Sequence, residues 1–247
     1  MTDTTALDSF LGKWRSRWPE WQVAEVFVPA AQRETAVAWF ALLQEFEDAM
    51  NVAGDLLPAD AKLAWWGEEL RDWSRRRSRH PLGRVLEPQA GPEFFDLAES
   101  LPALQRLRER PAGPQAAFDT VRPLALAIAN AEATLSGLPT DEAQIRSFAA
   151  QMLASRLWAA GAAAVPQGLD EAQWARALLQ HWPARVKGGR ARRLWSALAR
   201  SRLQRHEGVG PDPSARKRGD AKTPSHPVSS TGQALRVLWL AWRAARA

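Results

Sequence analysis

Leu63-Ala64-Trp65-Trp66-Gly67-Glu68-Glu69-Leu70-Arg71-Asp72-Trp73 decides the fold. Leu63, Trp66, Leu70 and Trp73 recur at three- and four-residue spacing, which puts them on one face of a helix. The other side carries Glu68, Glu69, Arg71 and Arg75. Pro58 opens this helix, and Arg79-His80-Pro81 breaks it before a short segment over 82–86. Upstream, the pattern predicts helices over 6–17 and 30–52, the second following Pro29 and closed by Gly54. Downstream it predicts helices over 93–109, 115–136, 141–160, 169–181 and 190–205. Thr140-Asp141-Glu142 and the 168–171 stretch supply caps and acidic first turns. Alternation of the strand type is nearly absent, so the reading is all-α.

Residues 207–232 differ from the rest, being rich in Gly, Pro, Ser and Lys/Arg with almost no apolar content. They read as a flexible linker or loop between a helical domain over 1–206 and a last helix over 233–247. Leu235, Leu238, Trp239 and Trp242 share a face there, so this helix is expected to dock back on the same domain. With Arg236, Arg243 and Arg246 beside them, the same residues also suit an anionic membrane surface.

Composition limits the chemistry. Cysteine is absent, which removes disulfides and thiolate metal sites, and the four histidines show no metal-ligand spacing. The stretch from Met1 to Asp8 is polar, with no apolar run of the signal-peptide type, and no segment has the length of a membrane span. A cytoplasmic protein, or one peripheral to the inner membrane face, is expected. The net charge of +6 suits phosphorylated ligands, anionic lipid or nucleic acid, but is modest for the size and is read first as surface guanidiniums scattered by an Ala- and Arg-rich composition. Nucleic acid is the less favoured of these, because Trp182 and Trp195 fit core positions as well as a stacking surface.

The 63–70 string resembles the Leu-x-Trp-Trp-x-Glu-Glu-Leu helix of squalene/phytoene synthase-like proteins. Arg79-His80-Pro81-Leu82-Gly83-Arg84-Val85-Leu86 is similar to the segment that comes after that helix in the family. Pro29 through Arg33 to Phe46 looks like the family's Arg-led helix, and 238–246 looks like its tail. The resemblance is good over 29–88, loose to about 161, and poor beyond except at the last helix. It implies an isoprenoid-synthase-like helical bundle around an apolar cavity, with two facing acidic clusters at its mouth. In active members those clusters hold Mg²⁺, which grips a prenyl diphosphate and helps the diphosphate leave. By the same resemblance, Arg33, Phe40, Gln44 and Trp66 are cavity candidates.

The first acidic cluster maps onto Glu47-Asp48-Ala49-Met50-Asn51, where the family expects Asp at the first and last positions. Glu47, Asp48 and Asn51 are therefore a weakened metal set. For the second cluster the residues are missing, since from Ala143 to His206 the acids are Asp170 and Glu171 alone, together at a helix start. Arginines stand there instead. Arg185, Arg190 and Arg193, with Gly188-Gly189, make an anion or phosphate candidate, set against a solvated basic helix face that includes Arg192, Arg200, Arg202 and Arg205. Glu68 and Asp72, a turn apart, mimic a metal pair but sit beside Arg71 and Arg75 and read as salt-bridged surface. The expected function is a non-catalytic isoprenoid-binding or assembly-type protein, with no cofactor. The alternatives are an active Mg-dependent prenyl-diphosphate transferase and a basic helical adaptor for membrane or nucleic acid.

Overall fold

Pro29 and Asn51 bound the helix on which the rest of the molecule is built. The computed structural model describes residues 3–208 and 231–246, and among them every regular element is helical. In chain order these are α1 (Asp3–Arg17), α2 (Trp21–Ala24), α3 (Ala30–Met50), α4 (Leu57–Trp73), α5 (Gly83–Leu86) and α6 (Glu93–Ser100). They continue as α7 (Pro102–Arg106), α8 (Pro114–Ser136), α9 (Glu142–Ala160), α10 (Glu171–His181), α11 (Arg190–Gly208) and α12 (Thr231–Arg246).

Helix α3 is apolar all round from Val37 to Leu43 and buried on most sides as far as Met50, so it can be stable only if it is surrounded. It is: α1, α4, α5, α7, α9 and α11 all pack on it. Helices α8 and α9 form a hairpin around Gly137, whose left-handed backbone (φ 66°) caps α8 where a Cβ would strain the chain. Helix α10 lies on α9 and α11, and α12 lies on α11 and α2. The buried face of α4 is the stripe read from the sequence, Leu63, Trp66, Leu70 and Trp73.

Three boundaries differ from the sequence reading. The expected helix over 93–109 is two helices, because Pro102 cannot donate a hydrogen bond back to the preceding turn and restarts the chain as α7. Trp21–Ala24 forms a short helix that the pattern did not suggest. Helix α11 runs on to Gly208 and α12 begins at Thr231, so both take residues from the ends of the expected linker. The remainder of that linker, 209–230, lies outside the described residues. The caps are where the sequence placed them. Asp141 Oδ1 accepts from the Gln144 N–H at 2.9 Å, and Asp170 and Gln173 close a reciprocal capping box.

Candidate functional site

The first acidic cluster is split by the helix it stands on. Successive residues of a helix point about 100° apart. Glu47 therefore turns inward toward α9 while Asp48 turns toward α1. Glu47 is buried and accepts a hydrogen bond from the Ser155 hydroxyl at 2.8 Å. Ser155 Oγ in turn accepts from Asn51 Nδ2 at 3.1 Å, and the Asn51 carbonyl oxygen has no partner among the described residues. Asp48 instead ion-pairs with Arg17, lies 3.6 Å from Lys13 Nζ, and accepts from Gln44 Nε2 at 3.1 Å.

Behind Glu47 sits a second buried polar group. Arg192 of α11 is only 3% exposed and bonds Glu132 of α8 through Nε (2.9 Å) and Nη2 (2.5 Å). Glu132 also accepts from the Trp39 indole at 2.8 Å, and Arg192 Nη1 reaches Gln151 Oε1 at 3.4 Å. The guanidinium lies 4.3–5.0 Å from the ring centres of Phe148, Trp195 and Phe40. The expected solvated basic face is thus corrected at this residue, which points into the core. Arg202 is drawn in too, pairing with Glu20 at 2.5 Å over the Trp18 ring.

Burial pushes Glu47 up from its usual 4.5 to about 7, with the neighbouring Asp48 charge adding to the rise, while the Ser155 hydroxyl, Arg17 and Arg192 oppose it. For an acid whose folded-state pKa is raised, the contribution to stability is full below 4.5 and is lost as pH climbs to about 7. A rise of this size amounts to roughly 3 kcal/mol at most. Glu47→Gln keeps an acceptor for Ser155 and cannot ionise. Urea unfolding should find the variant close to wild type at pH 4.5 and more stable than wild type at pH 8, by about 1–3 kcal/mol. An equal difference at both pH values would show that Glu47 carries no such burden.

These residues do not fit a Mg²⁺ cluster. Mg²⁺ asks for ionised oxygens converging in octahedral array. Glu47 is held toward the protonated form, Asp48 faces away and is matched by two cations, and Asn51 brings one neutral carbonyl oxygen and no charge. Among the described residues no group of three or more His, Asp or Glu side chains is placed to hold a metal ion. Glu68 and Asp72 do not converge either, since Glu68 is exposed and Asp72 pairs with Arg79 at 3.3 Å.

The four cavity candidates fall in separate places. Phe40 is enclosed by Trp14, Trp21 and Trp195, with ring centres 5.5, 5.5 and 4.2 Å away. Trp66 sits in a second cluster with Phe46, Trp73 and His80, at 5.9, 6.1 and 4.6 Å. Gln44 bridges Trp18 and Asp48, and Arg33 ties down the chain before α3 through the Val28 carbonyl at 2.9 Å. Of the anion candidates, Arg185 and Arg193 share a small cleft beside α12, whereas Arg190 points to the Phe27 carbonyl at 3.4 Å.

One residue of the opening motif went unread as a structural centre. Glu69, the second acid of the Trp-Trp-Gly-Glu-Glu string, is fully buried. Its Oε1 accepts from the Trp73 indole and from the backbone N–H groups of Arg79 and His80, each at 2.7 Å, while Oε2 accepts from Arg79 Nε at 3.2 Å. Burial would raise its pKa, but the His80 N–H, the Trp73 indole and Arg79 outweigh that and hold it below the usual range. The motif therefore fastens α4 to the turn that succeeds it.

Comparison with models of known protein families, with curated proteins and with solved structures found no match for this chain.

Proposed function

We propose that this chain is a squalene/phytoene synthase-like pseudoenzyme, one that no longer ionises a prenyl diphosphate and acts as a binding or assembly protein. The observation that carries this reading is the face opposite Glu47. Two carboxylate pairs a turn apart would have to converge here to neutralise a diphosphate through Mg²⁺. Asn51, which caps α3, stands a turn after Glu47, and the side chains one turn apart on the facing stretch of α9 are Gln151 and Ser155, an amide and a hydroxyl. Ser155 bonds Glu47 directly, and Arg192, one of the cations whose charge reaches Glu47, is already held by Glu132. On this reading, a polar contact between α3 and α9 stands where the chemistry would have been seated. Phe40, a cavity candidate by the resemblance, is packed among Trp14, Trp21 and Trp195, which favours a partner on the surface over a ligand in the bundle.

The test is turnover. Farnesyl diphosphate and Mg²⁺ incubated with the protein should give no diphosphate release above the blank. Release that disappears in a Glu47→Ala, Asp48→Ala variant would refute the proposal and restore the transferase reading. Native mass spectrometry with farnesyl diphosphate supplies a second readout, and the closed packing predicts no retained ligand.

A further inference from the structure

Helix α12 is amphipathic on two sides, and one side has nothing on it among the described residues. Val237 and Ala241 are buried and seat the helix on α11 and α2. The opposite side presents Leu235, Leu238, Trp239 and Trp242, which are 61%, 42%, 52% and 42% exposed. Their spacing of three and four residues gathers them into an arc of about 100°. Four large apolar side chains on one exposed stripe are costly in water unless something covers them.

The charge around the stripe has one sign. Arg243 lies over the Trp239 ring at 4.5 Å and Arg246 over the Trp242 ring at 4.2 Å. Between α11 and α12 runs a groove of about 300 Å³ whose charged lining is Arg185, Arg200, Arg236 and Arg243, with Trp239 at its side. No carboxylate is among its lining residues. In the adjoining cleft Arg193 has a buried Nε with no partner among the described residues. Arginine is suited to this arrangement, because its planar fork takes a phosphate through two N–H groups while its face rests on an indole.

We propose that the outer face of α12 seats the protein on an anionic phospholipid membrane, with lipid phosphates drawn into the arginine groove. The stripe requires an apolar phase and the groove requires negative charge, and the interfacial zone of an anionic bilayer offers both at once. Leu235 and Leu238 would have no role on a nucleic acid, where the tryptophans alone have something to stack on. The helix has 16 residues, about 24 Å of rise, which is short of the roughly 30 Å hydrocarbon core. No described helix is long and apolar enough to cross a membrane. The helix therefore lies in the membrane plane, with Trp239 and Trp242 at headgroup depth.

Flotation of the full chain with vesicles tests this. Vesicles of phosphatidylcholine with 30 mol% phosphatidylglycerol should carry the protein upward, and pure phosphatidylcholine should carry about tenfold less, with 0.5 M NaCl narrowing the gap. Leu238→Ser with Trp242→Ser should lower binding to the anionic vesicles at least about tenfold. Arg236→Gln with Arg243→Gln should remove the preference for anionic lipid. Both pairs are exposed, so their melting temperatures should match wild type, which separates a lost surface from a lost fold. Failure of the wild type to float with anionic vesicles would overturn the proposal. So would flotation insensitive to both pairs, a dimer in solution broken by Leu238→Ser with Trp242→Ser, or tight oligonucleotide binding that the same pair abolishes.

Discussion

Arg192→Ala should destabilise the protein by about 3–5 kcal/mol, the range found when one partner of a buried ion pair is removed. Glu132 would then be left 6% exposed with a charge, or forced to take up a proton, and among the described residues only the Trp39 indole would still serve it. The rings of Phe40, Phe148 and Trp195 would lose the flat cation packed among them as well. Against a total stability on the order of 5–15 kcal/mol this is a large share. Removing both charges together is a different matter, since neither partner is then left uncompensated. Arg192→Met combined with Glu132→Gln should recover at least half of the loss, and the double-mutant cycle should return a coupling above about 1.5 kcal/mol. Urea midpoints of the four proteins measure it. A single-variant loss below about 1 kcal/mol would mean the pair is more hydrated than its burial indicates.

The periodicity made the core faces legible and left the polar interior hidden. The α4 stripe and the caps at Asp141 and Asp170 depend on residues within one or two turns of each other, and so could be read directly. Arg192 gave a partial signal, since it stands three residues before Trp195 and seven before Ala199, both buried, and so shares their face. What makes an arginine tolerable there is Glu132, 60 residues away, and the Trp39 indole that shares its carboxylate, 93 residues from it. Glu47 and Ser155 are 108 residues apart, and no local pattern marks the serine as the residue that meets an acidic motif. A missing carboxylate is visible in a sequence. The hydroxyl that faces Glu47 is visible only once two helices are laid together.

The same distinction separates Glu68 from Glu69, and it yields the second large expected loss. Glu69 stands three residues after Trp66 and four before Trp73, so the helix carries it into the core while Glu68 goes to solvent. Glu69→Ala should cost about 3–5 kcal/mol. Two backbone N–H groups and one indole N–H lose their acceptor, each worth about 1–3 kcal/mol if left buried without a partner, and relaxation of the turn recovers part of that sum. Glu69→Gln keeps one acceptor oxygen but sets an amide against Arg79, and should cost about half as much. The pH dependence identifies the cause. Because the folded pKa of Glu69 is depressed, its contribution is present above 4.5 and is lost as pH falls through the folded value. His80 works in the same direction. Burial, against the opposing charges of Glu69 and Glu45, lowers its pKa from 6.5 to about 4, so stability also falls as pH drops between those values. Wild type should therefore converge on Glu69→Gln in acid, and a gap between them as wide at pH 4 as at pH 7 would sink the account. His80 is held by this turn among Phe10, Trp65 and Trp66, with its Nδ1 accepting from the Leu82 N–H at 3.1 Å. Within the 63–70 string, Glu69 is thus a buried carboxylate clasping a turn. That role is one of folding, and it holds whether or not any diphosphate is ever ionised.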